Sequence, residues 1–207
     1  DISKSNGFES DNDANGSALL PQTSGIYSNI TIVGPRASAN NVGNSLFLAG
    51  IMIRRNSSIS IFNSVIMGYP TGLLLDASKG TPVDNNITSG GLTIQNTIIS
   101  GCAAPVSYVA SSSAATGWNT EAAQNWFLTA ALGNSIVTNN SDVMYTAPFN
   151  YEAADMTPQA GSPVLSGAKF TDAKLSGLTP VTYIGAIGAA GTADGDWWKG
   201  WTRLKLN

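Results

Sequence analysis

The sequence contains no histidine and one cysteine, Cys102, among its 207 residues. Without histidine the chain has neither the most common general base nor the most common zinc ligand. A single cysteine excludes a disulfide within the chain, so Cys102 is most simply a small buried apolar residue. Charged residues make up only 11% of the chain and the net charge is −3, which predicts no nucleic-acid partner. No apolar run approaches the roughly 20 residues of a membrane-spanning helix.

What the sequence does contain is a repeated phrase. It occurs as Asn29-Ile-Thr-Ile-Val-Gly34, Asn63-Ser-Val-Ile-Met-Gly68 and Asn96-Thr-Ile-Ile-Ser-Gly101, with the asparagines 34 and 33 residues apart. A fixed period of this size is typical of a solenoid. Together with the abundant turn residues and sparse charge, it predicts an all-β protein.

Short apolar strands separated by Gly, Pro and Asn fall three to a repeat, which predicts a parallel β-helix with regular coils over about 27–110. Stacked coils must place similar side chains at equivalent positions, because these side chains touch. The expected interior columns are Ile32 with Ile66 and Ile99, Ile59 with Leu92, Ile61 with Ile94, Ile51 with Leu73, and Ile53 with Leu75. Alternate residues such as Ser60 and Thr93 are expected to face outwards.

The repeated asparagines fall at the corner between two strands. Asparagine tolerates the left-handed conformation that a sharp corner often needs, and its amide can bond to the asparagine one coil away. We therefore expect Asn29, Asn63 and Asn96 to form a ladder along the solenoid. The alternative is that each is an ordinary turn residue.

After Val109 the repeat is lost. Residues 120–132 are predicted to form one short α-helix that covers the β-helix, with Asn119 or Thr120 at its start and Gly133 at its end. Residues 134–207 are expected to add irregular coils and a terminal cap. The whole chain, 1–207, is then a single domain.

Several segments together resemble one protein family: Ser5–Asp13, Ile53–Asn56, Phe62–Gly72, Ala160–Gly167 and Asp196–Trp201. The family comprises secreted right-handed parallel β-helix proteins of glycan-using and gliding Gram-negative bacteria. The resemblance implies a pectate-lyase-like fold, an extracellular or cell-surface location, and that this chain is the C-terminal half of such a protein. The phrases Gly161–Pro163 and Tyr183–Ala186 are similar to those that close the last coils of pectate-lyase-like proteins.

One candidate metal site is the stretch Asp11-Asn-Asp13-Ala-Asn15-Gly16. Its alternate oxygen ligands and glycine match the opening of a calcium loop, and Asp11, Asp13 and Asn15 are the candidate ligands. Gln22 stands where that motif needs a bidentate glutamate. The alternative is a turn rich in Asx residues, with no cofactor at all.

Catalytic residues cannot be assigned from the sequence. A polysaccharide lyase would need a basic residue, but Arg54 and Arg55 are adjacent on a predicted strand and so are expected on opposite faces. Trp197, Trp198 and Trp201 are candidate glycan-binding residues, because flat aromatic rings stack on sugars. The alternative is that they plug the C-terminal end of the solenoid.

These patterns favour a non-catalytic, secreted or cell-surface module with a structural or adhesive role. A polysaccharide-binding or lyase-like protein is the alternative. Residues 1–26 contain no strong apolar strand, so the coil that begins at Asn29 is expected to have open edges. We expect a missing N-terminal half or another subunit to cover this coil.

Overall fold

The computed structural model describes residues 5–40, 46–110, 117–200 and 202. The strands are β1 Phe8–Ser10, β2 Ile26–Ser28, β3 Thr31–Val33, β4 Ala49–Arg54, β5 Ser60–Phe62, β6 Val65–Met67, β7 Thr71–Asp76, β8 Ile94–Gln95, β9 Ile98–Ser100, β10 Ala104–Val109, β11 Ser135–Val137, β12 Tyr145–Ala147 and β13 Asp155–Pro158. The α-helices are α1 Asp84–Thr88, α2 Thr120–Phe127 and α3 Ala193–Asp196. Short 3-10 helices cover Ala130–Leu132, Asn140–Val143, Pro163–Leu165 and Ala173–Leu175.

Three parallel sheets stack the repeats on one another. Their strand orders are β1-β4-β7-β10, β3-β6-β9-β11 and β2-β5-β8, while β12 and β13 form a separate antiparallel pair. Each repeat contributes one strand to each sheet, as in a parallel β-helix. The register pairs Ile32 with Ile66 and Ile66 with Ile99, as the repeated phrase predicts.

The solenoid interior is filled by the aliphatic columns. Ile61 pairs with Ile94, Ile51 with Leu73, and Ile53 with Leu75. Ile59 and Leu92 are also buried within the same core. Nearly all these side chains are sealed from solvent, so the alternation of the strands correctly predicts the interior face.

The asparagines lie at equivalent corners, each with a left-handed backbone: φ is 56° at Asn29, 49° at Asn63 and 49° at Asn96. Their side chains do not follow the expected ladder, since among the described residues no hydrogen bond joins one of these amides to another. Asn29 Nδ2 donates to the Tyr183 carbonyl at 2.7 Å. Asn63 Nδ2 donates to the Lys169 carbonyl at 3.0 Å, and Asn63 Oδ1 accepts from the Lys169 N–H at 2.9 Å.

Those partners belong to a part of the chain that runs back along the outside of the solenoid, here called the return segment (residues 140–200). Its Val143, Val164 and Ile184 pack on Val65, Met67 and Ile98, which project outwards from the β3-β6-β9-β11 sheet. This sheet is therefore apolar and covered on both faces. Among the described residues of 134–207, the expectation of further coils holds only for β11, which pairs with β9.

The return segment also covers Ser60 of β5 and Thr93, the equivalent residue in the next coil. Ser60 is buried rather than solvated, because Lys174 lies over it. Lys174 Nζ donates to Ser60 Oγ at 3.0 Å and to Thr93 Oγ1 at 2.9 Å. It also donates to the carbonyls of Gly90 and Gly91, both at 2.7 Å.

The covering helix α2 begins where the sequence predicts and ends earlier. Asn119 caps it by accepting a hydrogen bond from the Ala122 N–H at 2.8 Å. Phe127 ends the helix and, like Ala123, is completely buried in the solenoid core. The expected residues 130–132 form a separate 3-10 turn that ends at left-handed Gly133. The expectation of a single helix was wrong, since α1 and α3 are also present.

The first coil has more cover than the sequence suggests. Strand β1 pairs in parallel with β4, with Phe8 opposite Ile51, so residues 1–26 do contain a strand. Within the described residues, however, no strand lies outside β2 or β3. Leu20 and Ile26 beside them are 83% and 44% exposed.

No helix in the described part of the chain has the length and apolarity to cross a membrane.

Candidate functional site

Trp197 and Trp198 line a partly open cavity of about 210 Å³, here called the tryptophan cavity. One wall is Thr31 of β3, and Met156 and Ile187 of the return segment supply apolar surface. The cavity therefore lies at the first coil, on the outer side of the solenoid. The expectation that these tryptophans plug the C-terminal end of the solenoid was wrong, because the return segment carries them back along it.

A one-turn helix sets the positions of the two indoles. Thr192 caps α3 by accepting a hydrogen bond from the Gly195 N–H at 3.1 Å, and Trp197 follows the last helical residue. Trp197 Nε1 donates to the Ala186 carbonyl at 2.9 Å. Trp198 Nε1 donates to the Gly195 carbonyl at 3.1 Å. Both polar edges are thus held by backbone, while 47% of Trp197 stays exposed.

A second cavity, of about 250 Å³, lies beside the first and is here called the tyrosine cavity. It is lined by Phe170 and Tyr183 on one side and by Ser28 and Asn29 on the other. Burial raises the pKa of the Tyr183 hydroxyl, and the nearby Asp194 carboxylate adds to this effect. The sequence pattern gave no indication of this cavity, because it forms between the repeat and a segment without repeats.

The candidate calcium ligands are engaged with protein groups. Asp11 accepts from Arg54 Nε at 2.8 Å and from Arg55 Nη1 at 3.4 Å. Asp13 accepts from the Asn15 N–H at 2.6 Å and from the Ser17 N–H and hydroxyl at 2.9 and 2.7 Å. The Ser17 hydroxyl and these amides lower the pKa of Asp13.

These contacts favour the turn interpretation. No group of three or more acidic, cysteine or histidine side chains suited to a metal occurs in the described ranges. Calcium binding by Asp11, Asp13 and Asn15 stays one of two alternative predictions, and a turn without calcium is the other.

The two arginines converge rather than diverge. Arg54 ends β4, but Arg55 has a φ of 51°, which breaks the strand alternation. Both guanidinium groups therefore reach Asp11, and Arg54 also binds Glu9. The expectation of opposite faces was wrong for this reason, and the arginines form a surface ion-pair network beside β1.

Cys102 is buried, as expected, within the solenoid core. Burial raises the pKa of its thiol to about 11, so the thiol is protonated and unreactive at neutral pH. Trp201 lies outside the described residues.

The comparisons with known proteins bear on what these cavities serve. The family described as a pectate-lyase-like β-helix domain matches residues 1–149. The chain belongs to this family. No curated protein and no solved structure matches it.

The pectate-lyase-like β-helix domain accounts for the repeats and the stacked parallel sheets. It also suggests a carbohydrate-related role at the level of the family. The matched residues end at 149, so most of the return segment, with both tryptophans, lies beyond them. The two cavities thus combine residues of the family domain with residues that follow it.

Proposed function

We propose that this chain is a non-catalytic carbohydrate-binding module with a structural or adhesive role, secreted or displayed at the cell surface. The observation that carries the proposal is the tryptophan cavity on a pectate-lyase-like β-helix. Aromatic side chains in a concave site supply flat apolar surface, which suits the apolar face of a sugar ring. The low charge and extensive β-structure suit an extracellular protein of this type.

The fixed indole N–H groups support the binding role. Since backbone carbonyls hold both nitrogen atoms, the rings keep their orientation without a ligand. A ligand then loses less free energy to ordering these side chains, because the protein is already organised. Trp197 is exposed enough to be reached from solvent.

A polysaccharide lyase is the second candidate, favoured by the family description. Its base would be Arg54 or Arg55 in this proposal. Both guanidinium groups are paired with Asp11, so a substrate would have to displace that carboxylate. The non-catalytic role is therefore the stronger proposal.

A glycan array combined with a lyase assay separates the two candidates. We expect the protein to retain immobilised polysaccharides and to release no unsaturated products from them. Trp197→Ala should abolish retention, while Tyr151→Ala should not. Tyr151 is a suitable control because it is 46% exposed and lies outside both cavities. Unsaturated products lost on Arg54→Ala would establish the enzyme instead.

The open side of the first coil supports a further part of the proposal. Leu19, Leu20 and Ile26 are exposed beside strands β2 and β3, which lack an outer neighbour among the described residues. Unpaired strand edges bind further strands readily. In the proposed arrangement another β-helix coil covers them, from elsewhere in the same protein or from another subunit.

A further inference from the structure

The two cavities are neighbours that share the same two walls. One wall is the first coil, where Asn29 lines the tyrosine cavity and Thr31 lines the tryptophan cavity. The other is the return segment, where Tyr183 and Ala186 line the tyrosine and tryptophan cavities respectively. The walls are joined directly, since the Ala186 N–H donates to Thr31 Oγ1 at 2.9 Å and Asn29 Nδ2 donates to the Tyr183 carbonyl at 2.7 Å.

The number of sequence positions between these lining residues limits the distance between the cavities. Asn29 and Thr31 are two positions apart in the sequence, and Tyr183 and Ala186 are three positions apart. Because a chain spans at most about 3.3–3.6 Å per residue, these lining residues are at most about 7–11 Å apart along the two walls. An oligosaccharide of two or more linked sugars is long enough to contact both cavities.

The chemistry of the two cavities differs in a way that suits a sugar chain. The tryptophan cavity is mostly apolar and offers ring faces for stacking. The tyrosine cavity adds the polar side chains of Ser28, Asn29 and Thr179 to the rings of Phe170 and Tyr183. Stacking combined with a few placed polar groups is how sugars are held without charge.

Charge decides which class of polysaccharide fits. None of the described residues that line either cavity is charged. One acidic residue lies close to the lining: Asp194 and the ring of Tyr183 both pack around Gly188. Asp194 belongs to α3, three positions before Trp197. The linings therefore offer a uronate carboxylate no cation to pair with, and Lys199, which follows Trp198, is already paired with Asp196 at 2.7 Å.

Resting on the proposed carbohydrate-binding function, we propose that the two cavities form one site for a neutral polysaccharide chain. The chain stacks a sugar ring on the exposed face of Trp197 and places another sugar against Tyr183 and Phe170. The site discriminates against acidic polymers such as polygalacturonate. The site lies at strands β2 and β3, whereas Arg54 and Arg55 lie at the end of β4.

The test is a binding titration of the full chain, in which tryptophan fluorescence reports binding. The probes are neutral oligosaccharides of increasing length (cello-, xylo- and manno-oligosaccharides) and oligogalacturonates of the same lengths. We expect at least one neutral series to bind, with affinity that rises with length and then levels off. We expect little dependence on salt, because no ion pair forms.

Variants test the two halves of the site. Trp197→Ala and Phe170→Ala should each weaken binding of the long oligosaccharide by at least tenfold, while Tyr151→Ala leaves it unchanged. Trp197→Phe, which keeps a ring, should retain part of the affinity. Unchanged melting temperatures show that the variants are folded, and where Phe170→Ala unfolds, Phe170→Leu replaces it.

Three results would overturn the inference. Tighter binding of oligogalacturonates, weakened by salt, would leave carbohydrate binding in place but refute a neutral ligand. Affinity independent of length, or lost only in Trp197→Ala, would refute a shared site. Failure of every neutral and acidic glycan to bind would refute the proposed function as well.

Discussion

Ile66 occupies the middle of an aliphatic column formed by Ile32, Ile66, Ile99 and Ile136. Its side chain is 0% exposed, and it has a column neighbour in the coil on either side. Removing it leaves a cavity that neither neighbour can fill, because both are fixed by their own strands.

We expect Ile66→Ala to lower the free energy of unfolding by about 2–5 kcal/mol. Ile26→Ala is the matched control: it removes the same atoms from a strand residue that is 44% exposed, and should cost within about 1 kcal/mol. Urea denaturation measures both. Equal costs would mean that the interior column does not hold the coils together.

The loop from Asp11 to Gly16 permits a second prediction at the scale of residues. Because Asp11 is paired with two arginines and Asp13 closes a turn, we expect the melting temperature to be the same with excess calcium and with a chelator. A melting temperature that rises with calcium, and not with magnesium, would establish the calcium site and require Asp11 to leave its arginines.

Among the contacts between elements, the corner residue Asn63 forms a paired link between the return segment and the solenoid. Asn63 is 0% exposed and its amide bonds to both the N–H and the carbonyl of Lys169. Asn96 has the same left-handed φ of 49°, but its side chain forms no hydrogen bond with another described residue. Comparing Asn63 with Asn96 therefore separates the effect of the left-handed backbone from the effect of the side-chain hydrogen bonds.

We expect Asn63→Gly to lower stability by about 1–3 kcal/mol, because it removes buried hydrogen bonds while glycine keeps the left-handed backbone. Asn96→Gly should be close to neutral. Thermal unfolding measures the difference, and proteolysis within residues 140–200 should accelerate only in Asn63→Gly. Similar losses in both variants would mean that the corner conformation alone matters.

The sequence predicts the solenoid well because every coil has to bury aliphatic side chains at the same positions. Ile51, Leu73 and their equivalents recur at a fixed period, so their columns follow from the pattern alone. The return segment has no such period. Its contacts, such as Lys169 with Asn63, join residues more than one hundred positions apart, and nothing local encodes them.

One signal of the return segment was nevertheless present. The run Val65-Ile66-Met67 is apolar at three successive positions, although a strand with one solvated face should alternate. Such a run indicates a strand buried on both faces. It predicts an outer layer, but not which segment supplies that layer, and so neither cavity could be foreseen.

For the whole molecule, the open edge of the first coil leads to a prediction about association. We expect the 207-residue chain alone to associate as its concentration rises, because β2 and β3 present unpaired backbone beside exposed aliphatic side chains. Ile26→Lys should reduce this association, since a charge on an edge strand opposes pairing.

Val109→Lys provides the control, because Val109 is 43% exposed and lies on β10, at the opposite end of the stack. Light scattering across a concentration series measures the average mass. A monomer at every concentration would show that β1 and the loop before β2 are sufficient to cover the first coil.

The return segment also has a consequence for the order of events during synthesis. Val65 and Met67 leave the ribosome about 120 residues before Ile184, which covers them. At about 5–20 residues per second this delay is roughly 6–24 s. Until Val143, Val164 and Ile184 have all followed, the apolar outer face of the growing solenoid is incompletely covered. A nascent chain halted before residue 140 should therefore bind chaperones that the completed chain releases.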